Sequence, residues 1–269
     1  MSTSNATPEP TAGVSPAQVA FFHENGFLAI GSITTPEELA RLREIYDRLF
    51  SQRAGRESGD QFDLAGADEE GKAASLPQIL SPSRYAPELL QSQYYSNARH
   101  IAAQLLGAGA SFQGEHAIFK PARTGAPTPW HQDEAYWNPG LQYNALSVWM
   151  PLQEATLENG CLQFVPGSHR WEIVEHRSIG GDVRVHGLET VEPVDSSQAV
   201  PCPLPPGGAT FHLNRTLHYA GPNRSEIPRR AYILGFGLPP QPRGDQRAFA
   251  WNDKKQTARD ERARAAQQT

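Results

Sequence analysis

His131 and Asp133, in the run Trp130-His131-Gln132-Asp133-Glu134, carry the clearest chemical signal in this sequence. In an extended backbone, residues two apart project to the same side, so an imidazole and a carboxylate can meet at one point. A second histidine, His218, sits in Leu217-His218-Tyr219-Ala220-Gly221-Pro222-Asn223, and Arg229 follows it. Two nitrogens and one oxygen on one face of an ion is the donor set of non-heme iron oxygenases, which leaves positions for a bidentate small molecule and dioxygen. A keto acid can fill two of those positions. Its far carboxylate then needs a partner, and a guanidinium fork supplies two parallel hydrogen bonds.

Plainer readings compete. An isolated His-x-Asp is common, and a hydrogen-bonded structural histidine is the more frequent case. The context argues for a metal: Pro129-Trp130 before the pair, Tyr136-Trp137 after it, and a later histidine followed by Gly-Pro-Asn and an arginine. Arg230 is an alternative to Arg229, but neighbouring strand residues face opposite ways, so only one can point inward; Arg229 is the expected one.

Elements able to hold these residues can be placed along the chain. Ser15-Pro16-Ala17-Gln18 is a capping box with proline at the first helical position, and Gly26 stops that helix. Residues 27–30 read as a strand, and Thr35-Pro36-Glu37-Glu38 starts a longer helix with Leu39, Leu42, Ile45, Tyr46 and Leu49 at helical spacing. Residues 51–76, charged and rich in glycine, read as a mobile loop or an ordered lid. A third helix is expected over 87–106, ended by Gly107. From residue 109 onward, short apolar or alternating runs between Pro, Gly and Asn indicate antiparallel β-structure, with strands over 111–120, 145–152, 161–165, 209–213 and 231–238. In 145–152, Leu146, Val148, Met150 and Leu152 should face the core while Ser147 and Trp149 face the other way, into a lumen if the sheet closes. Residues 171–206 lack periodicity and read as a long excursion.

The chain of 269 residues suits one large domain, with 38% hydrophobic and 20% charged residues and no apolar run near the length of a membrane span. The boundaries read as a disordered lead at 1–13, one domain over 14–240 (helical to 108, β-rich from 109) and a polar tail at 241–269, frayed or disordered. A net charge of -5 gives no electrostatic reason to propose nucleic acid. Two distant cysteines, Cys161 and Cys202, make no disulfide framework and fit a reducing, cytoplasmic setting.

With these motifs in hand, the sequence resembles the phytanoyl-CoA dioxygenase family. His131-Gln132-Asp133, then Asn159-Gly160-Cys161-Leu162 with Pro166-Gly167-Ser168-His169, then His218 to Arg229 follow the family's order. The resemblance implies a mainly β, α+β fold: a double-stranded β-helix (jelly roll, cupin-like) with the N-terminal helices packed on one sheet. It implies an iron(II) and 2-oxoglutarate-dependent dioxygenase that uses O2. His131, Asp133 and His218 would bind the metal, and Arg229 the 5-carboxylate of 2-oxoglutarate. Trp149 and Lys120 match positions near the cosubstrate, while Tyr136, Trp137 and Gln113 fall where substrate would lie. His212, six residues before His218, lacks the arginine at the family spacing and reads as a core or supporting residue, and His169 as a loop residue. Relatives often carry serine where this chain has Ala220, which removes one hydrogen bond to the cosubstrate, worth on the order of 1 kcal/mol. Asp133, where halogenating relatives have a small residue, favours hydroxylation.

The expected reaction is therefore hydroxylation of an unactivated C–H bond of a small molecule, with release of succinate and carbon dioxide; desaturation and ring closure also occur in the family. Two other classes stand beside it. A zinc hydrolase would use the same donors but has no His-Glu-x-x-His helix and no role for Arg229. A silent jelly-roll binding protein would keep the cavity without turnover. Tyr136 and Trp137 suggest a ring-bearing ligand, and Lys120, Arg123 and Arg84 a carboxylate or phosphate.

Overall fold

A computed structural model describes residues 7–245 and 247–268. The chain opens with α1 (Pro16–Asn25), β1 (Phe27–Ser32) and α2 (Pro36–Ser51), then β2 (Gln61–Asp63) and β3 (Pro77–Leu80). A 3-10 turn at Pro87–Gln91 precedes α3 (Gln93–Leu106). The single helix expected over 87–106 is thus broken, because the Ser92 side chain accepts the Tyr95 N–H and starts a new helix. β4 (Ser111–Lys120), β5 (Thr128–His131), β6 (Leu141–Gln142), β7 (Ala145–Pro151) and β8 (Leu162–Phe164) follow. The excursion holds β9 (His176–Ser178), β10 (Leu188–Thr190) and β11 (Val200–Cys202). β12 (Gly208–Leu213), β13 (His218–Ala220), β14 (Arg229–Gly237) and β15 (Gln241–Pro242) complete the strands, before α4 (Ala250–Asp253) and α5 (Ala258–Ala266).

Two antiparallel sheets face each other. The larger has the order β1-β12-β7-β14-β4-β3-β2, and the smaller β11-β8-β13-β5. This is the mainly β, jelly-roll architecture expected. Alternation decides what each face of the large sheet meets: Leu146, Val148 and Met150 of β7 join Tyr232, Leu234 and Phe236 of β14 against α2 and α3. Trp149, Ala231 and Ile233 turn the other way, toward Leu162 and Phe164 of the small sheet. The helices are hydrogen-bonded to the sheet as well as packed on it: the Tyr46 hydroxyl donates to the Ala231 carbonyl at 2.9 Å, and the Tyr94 hydroxyl lies 3.1 Å from the carbonyls of Val148 and Tyr232. Gly26, at φ 82°, ends α1 where a Cβ would come within 2.3 Å of the His169 ring, so the left-handed turn and the close approach both call for glycine. His169 stands in that contact, outside the cavity between the sheets.

Three peripheral stretches are held by specific contacts. Residues 51–76 are built into the fold: β2 pairs with β3 at the sheet edge, Phe62, Leu64 and Leu76 form a small core, and the nearly buried Arg56–Asp68 ion pair is 2.5 Å long. Of the lead at 1–13, residues 1–6 lie outside the described residues, whereas Thr11 and Ala12 donate backbone N–H groups to the Asn97 side chain. The C-terminal stretch is likewise held. Trp251 and Asn252 both donate to the Ala135 carbonyl, at 2.9 and 2.8 Å, Arg247 pairs with Glu134 at 2.8 Å, and Arg262 pairs with Asp68. A polar sequence concealed these contacts because they run through side-chain donors and no apolar period marks them.

Candidate active site

β13 lies between β5 and β8, with His218 directly opposite His131 on one side and Phe164 on the other. The two imidazoles come to 4.1 Å between centroids. β5 ends at His131, so Asp133 is the first residue of a 3-10 turn (Asp133–Tyr136) and not a strand residue. Gln132 between them is still extended (φ -118°, ψ 129°), which keeps the expected same-side projection. Asp133 Oδ1 is 3.6 Å from His131 Nε2 and 3.5 Å from His218 Nε2, and the three donor atoms lie within 4.8 Å of one another.

Local bonds fix each donor. His131 Nδ1–H donates to the Pro129 carbonyl at 2.8 Å and His218 Nδ1–H to that of Thr216 at 2.9 Å. A carbonyl only accepts, so each ring uses its Nδ1–H there and turns Nε2 toward Asp133. Ser147 Oγ–H donates to Asp133 Oδ2 at 2.7 Å and Asn214 Nδ2–H at 3.2 Å, which leaves Oδ1 to the histidines. Gln132 is the outward anchor: its amide donates to the Arg215 carbonyl and accepts from Val174 N–H, and its backbone N–H donates to His176 Nε2 at 3.2 Å. Burial alone would raise the Asp133 pKa, but His218, His131 and His212 outweigh it and hold the carboxyl well below its ordinary range. Burial and then His131 push His218 well below its ordinary value. A carboxylate at Asp133 and a neutral imidazole at His218 are forms that bind a divalent ion.

The donors open on a cavity of about 460 Å³ between the two sheets. At one end is Arg229, 1% exposed, with Nε and Nη1 lacking any partner and its guanidinium 5.3 Å from the Trp149 ring centroid. Burial lowers its pKa to about 9, so it remains a cation at neutral pH. Arg230 points outward to Asp47 at 2.7 Å. A buried cation with free N–H groups, facing the donors along one cavity, suits a diacid bound to a metal at its other end. Ala220 lines the same space and offers no hydroxyl.

Tyr136, Trp137 and Gln113 line the cavity together with Tyr143, His116 and His186. The Tyr136 hydroxyl accepts the Leu188 N–H at 2.7 Å and its ring stacks on His186, which ties the metal-site turn to the excursion. Gln113 is exposed and donates to Ser111 and Gly237. Lys120 requires correction as a cosubstrate contact: it is fully buried off the cavity wall, and Nζ donates to the carbonyls of Ala126, Ala220 and Gly221 at 2.8, 3.2 and 2.6 Å. Its role is to tie β4 to the end of the His218 strand. Arg123 pairs with Glu226 and Arg84 with Asp60, so neither they nor Lys120 meets a ligand in the cavity. Reading the sequence missed Ser147 and Asn214 as the holders of Asp133, and gave His212 no place in the cavity wall. The inward position of Ser147 on its alternating strand was the one available signal.

Fold and site together define an iron(II) and 2-oxoglutarate-dependent oxygenase. The phytanoyl-CoA dioxygenase family model matches residues 22–231, and the chain belongs to that family. A probable alpha-ketoglutarate-dependent hypophosphite dioxygenase of Stutzerimonas stutzeri is 26% identical over 216 residues, 79% of this chain and 75% of that protein. EvdO2 from Micromonospora carbonacea var. aurantiaca is 44% identical with TM-score 0.78, covering 91% of this chain and 99% of the other. Its complex with 2-oxoglutarate aligns at 40% identity, TM-score 0.77 and the same coverage. The carbocyclase SnoK, at 23% identity and TM-score 0.67 over 88% of this chain and 90% of its own, shares the fold. Among the described residues, no helix is long and apolar enough to cross a membrane.

Proposed function

We propose that His131, Asp133 and His218 hold the iron(II), that Arg229 over Trp149 holds the 5-carboxylate of 2-oxoglutarate, and that the enzyme hydroxylates a C–H bond of a small molecule in the wider part of the cavity. The observation that carries this is the pairing of two incomplete sites in one cavity: a His/Asp/His set and a buried guanidinium with unpaired N–H groups. Bound iron would supply the activation of dioxygen, coupled to decarboxylation of the keto acid. The protein's own residues do the rest. Ser147 and Asn214 orient Asp133, the backbone carbonyls of Pro129 and Thr216 orient the histidines, and Tyr136, Trp137 and Tyr143 line the space beside them.

Arg229 is the sole Lys or Arg on the cavity wall among the described residues. This favours a neutral substrate with rings or hydroxyl groups, recognised by Trp137, Tyr143, Gln78 and the histidines, over a phosphate ester or coenzyme A thioester. The buried free thiols Cys161 and Cys202 agree with a cytoplasmic setting. The test is anaerobic addition of iron(II) and 2-oxoglutarate, which should produce a visible charge-transfer band that Asp133→Ala and His131→Ala abolish. A band that survives Asp133→Ala would sink the ligand assignment. Substrate-stimulated succinate release, scored with product mass, then separates hydroxylation from desaturation or ring closure.

A further inference from the structure

Beside the metal donors on the cavity wall stands a further histidine. His212 is 2% exposed, and neither of its ring nitrogens has a hydrogen-bond partner. His131, His176 and His218 differ from it, because each donates Nδ1–H to the carbonyl two residues earlier. His212 Nε2 lies 3.5 Å from Asp133 Oδ2, but that oxygen already accepts from Ser147 and Asn214. Its ring centroid is 4.6 Å from that of His218. An imidazole this deeply buried with two free nitrogens lacks compensation for its lost hydration unless a ligand provides it. The unpaired N–H groups of Arg229 carry the same mark.

Strand register places the two relative to one another. On β12, Thr210 is opposite Trp149 and His212 is opposite Ser147. His212 therefore stands two residues beyond the level of the indole under the Arg229 guanidinium, a step of about 7 Å along a strand. Both residues line the one cavity, His212 beside the metal donors at 3.5 Å from Asp133 and the Arg229 guanidinium over the indole. We propose that His212 donates a hydrogen bond to the metal-end carboxylate of 2-oxoglutarate, so that the cosubstrate is gripped at both ends, by Arg229 and by His212. This rests on the assignment of Arg229 to the far carboxylate. It makes His212 a cosubstrate-binding residue and not a metal ligand.

The experiment is anaerobic titration of the iron(II) protein with 2-oxoglutarate, followed at the charge-transfer band, for wild type, His212→Phe and His212→Gln. Iron(II) affinity, measured separately by calorimetry, should change by less than about threefold in both variants. In His212→Phe the dissociation constant for 2-oxoglutarate should rise about tenfold or more and the band maximum should move, since one charge-assisted hydrogen bond is lost. His212→Gln, which keeps an N–H donor, should recover most of the affinity. Unchanged cosubstrate affinity in His212→Phe overturns the proposal and leaves the residue to the other substrate or to packing. Loss of iron(II) from His212→Phe also overturns it, by making His212 part of the metal site, as does a glutamine variant no better than phenylalanine. A wild-type protein without the band refutes the metal reading itself and this inference with it.

Discussion

Replacing Arg229 by methionine should change cosubstrate affinity and stability in opposite senses. The guanidinium is 1% exposed and two of its nitrogens have no partner, so in the free protein it is a desolvated cation with little compensation beyond the Trp149 ring beneath it. A bidentate carboxylate would complete it with two charge-assisted bonds, each worth about 1.5–3 kcal/mol. Losing both should raise the dissociation constant of 2-oxoglutarate roughly 10²- to 10⁴-fold. Arg229→Lys keeps the charge and loses the fork, so it should fall between. Without cosubstrate, a well-packed methionine removes an unpaired buried charge and should stabilise the fold by about 1 kcal/mol or more, a rise in Tm of about 2–4 °C per kcal/mol. The assay is anaerobic titration at the charge-transfer band for affinity, with thermal melts of iron-free protein with and without 2-oxoglutarate. Cosubstrate affinity in Arg229→Met within threefold of wild type would refute the reasoning, whatever the melting temperature did.

Two further outcomes follow from particular contacts. Truncation after residue 245 removes the Trp251 and Asn252 bonds to Ala135 and the Arg247 bond to Glu134, which brace the turn that begins at Asp133. It should weaken iron(II) binding about tenfold or more and shorten the half-life to proteolysis of that turn, and an unchanged metal affinity would show that the turn holds itself. For pH, burial, then Lys255 and Arg259, lower His186 from 6.5 to about 3. The unfolded chain therefore binds the extra proton first, so this contribution to stability is complete above about pH 6.5 and is lost as pH falls toward about 3. His186→Phe should retain up to about 3 kcal/mol more of its neutral-pH stability than wild type at pH 4 in denaturant melts, and parallel pH profiles would exclude His186 as a source of the acid limb.

The sequence by itself named the candidate site residues and much of the scaffold. His131, Asp133, His218 and Arg229 have types and spacings that suit one donor set, while capping signals at Ser15 and Thr35 and alternation in 145–152 are local properties that survive folding. Tertiary structure decided which polar groups were already satisfied. Lys120 and Arg229 are cross-strand neighbours of similar charge, yet three backbone carbonyls meet Lys120 while Arg229 faces open space. The polar stretch after residue 241 braces the metal-site turn because Ala135 and Glu134 present acceptors there. The same is true of His212, whose position across from Ser147 follows from strand register and not from its six-residue distance to His218. Hydrogen-bond satisfaction depends on partners far away in the chain, so residue type and spacing named the candidates, and only the packed sheets showed which of them remain free to bind.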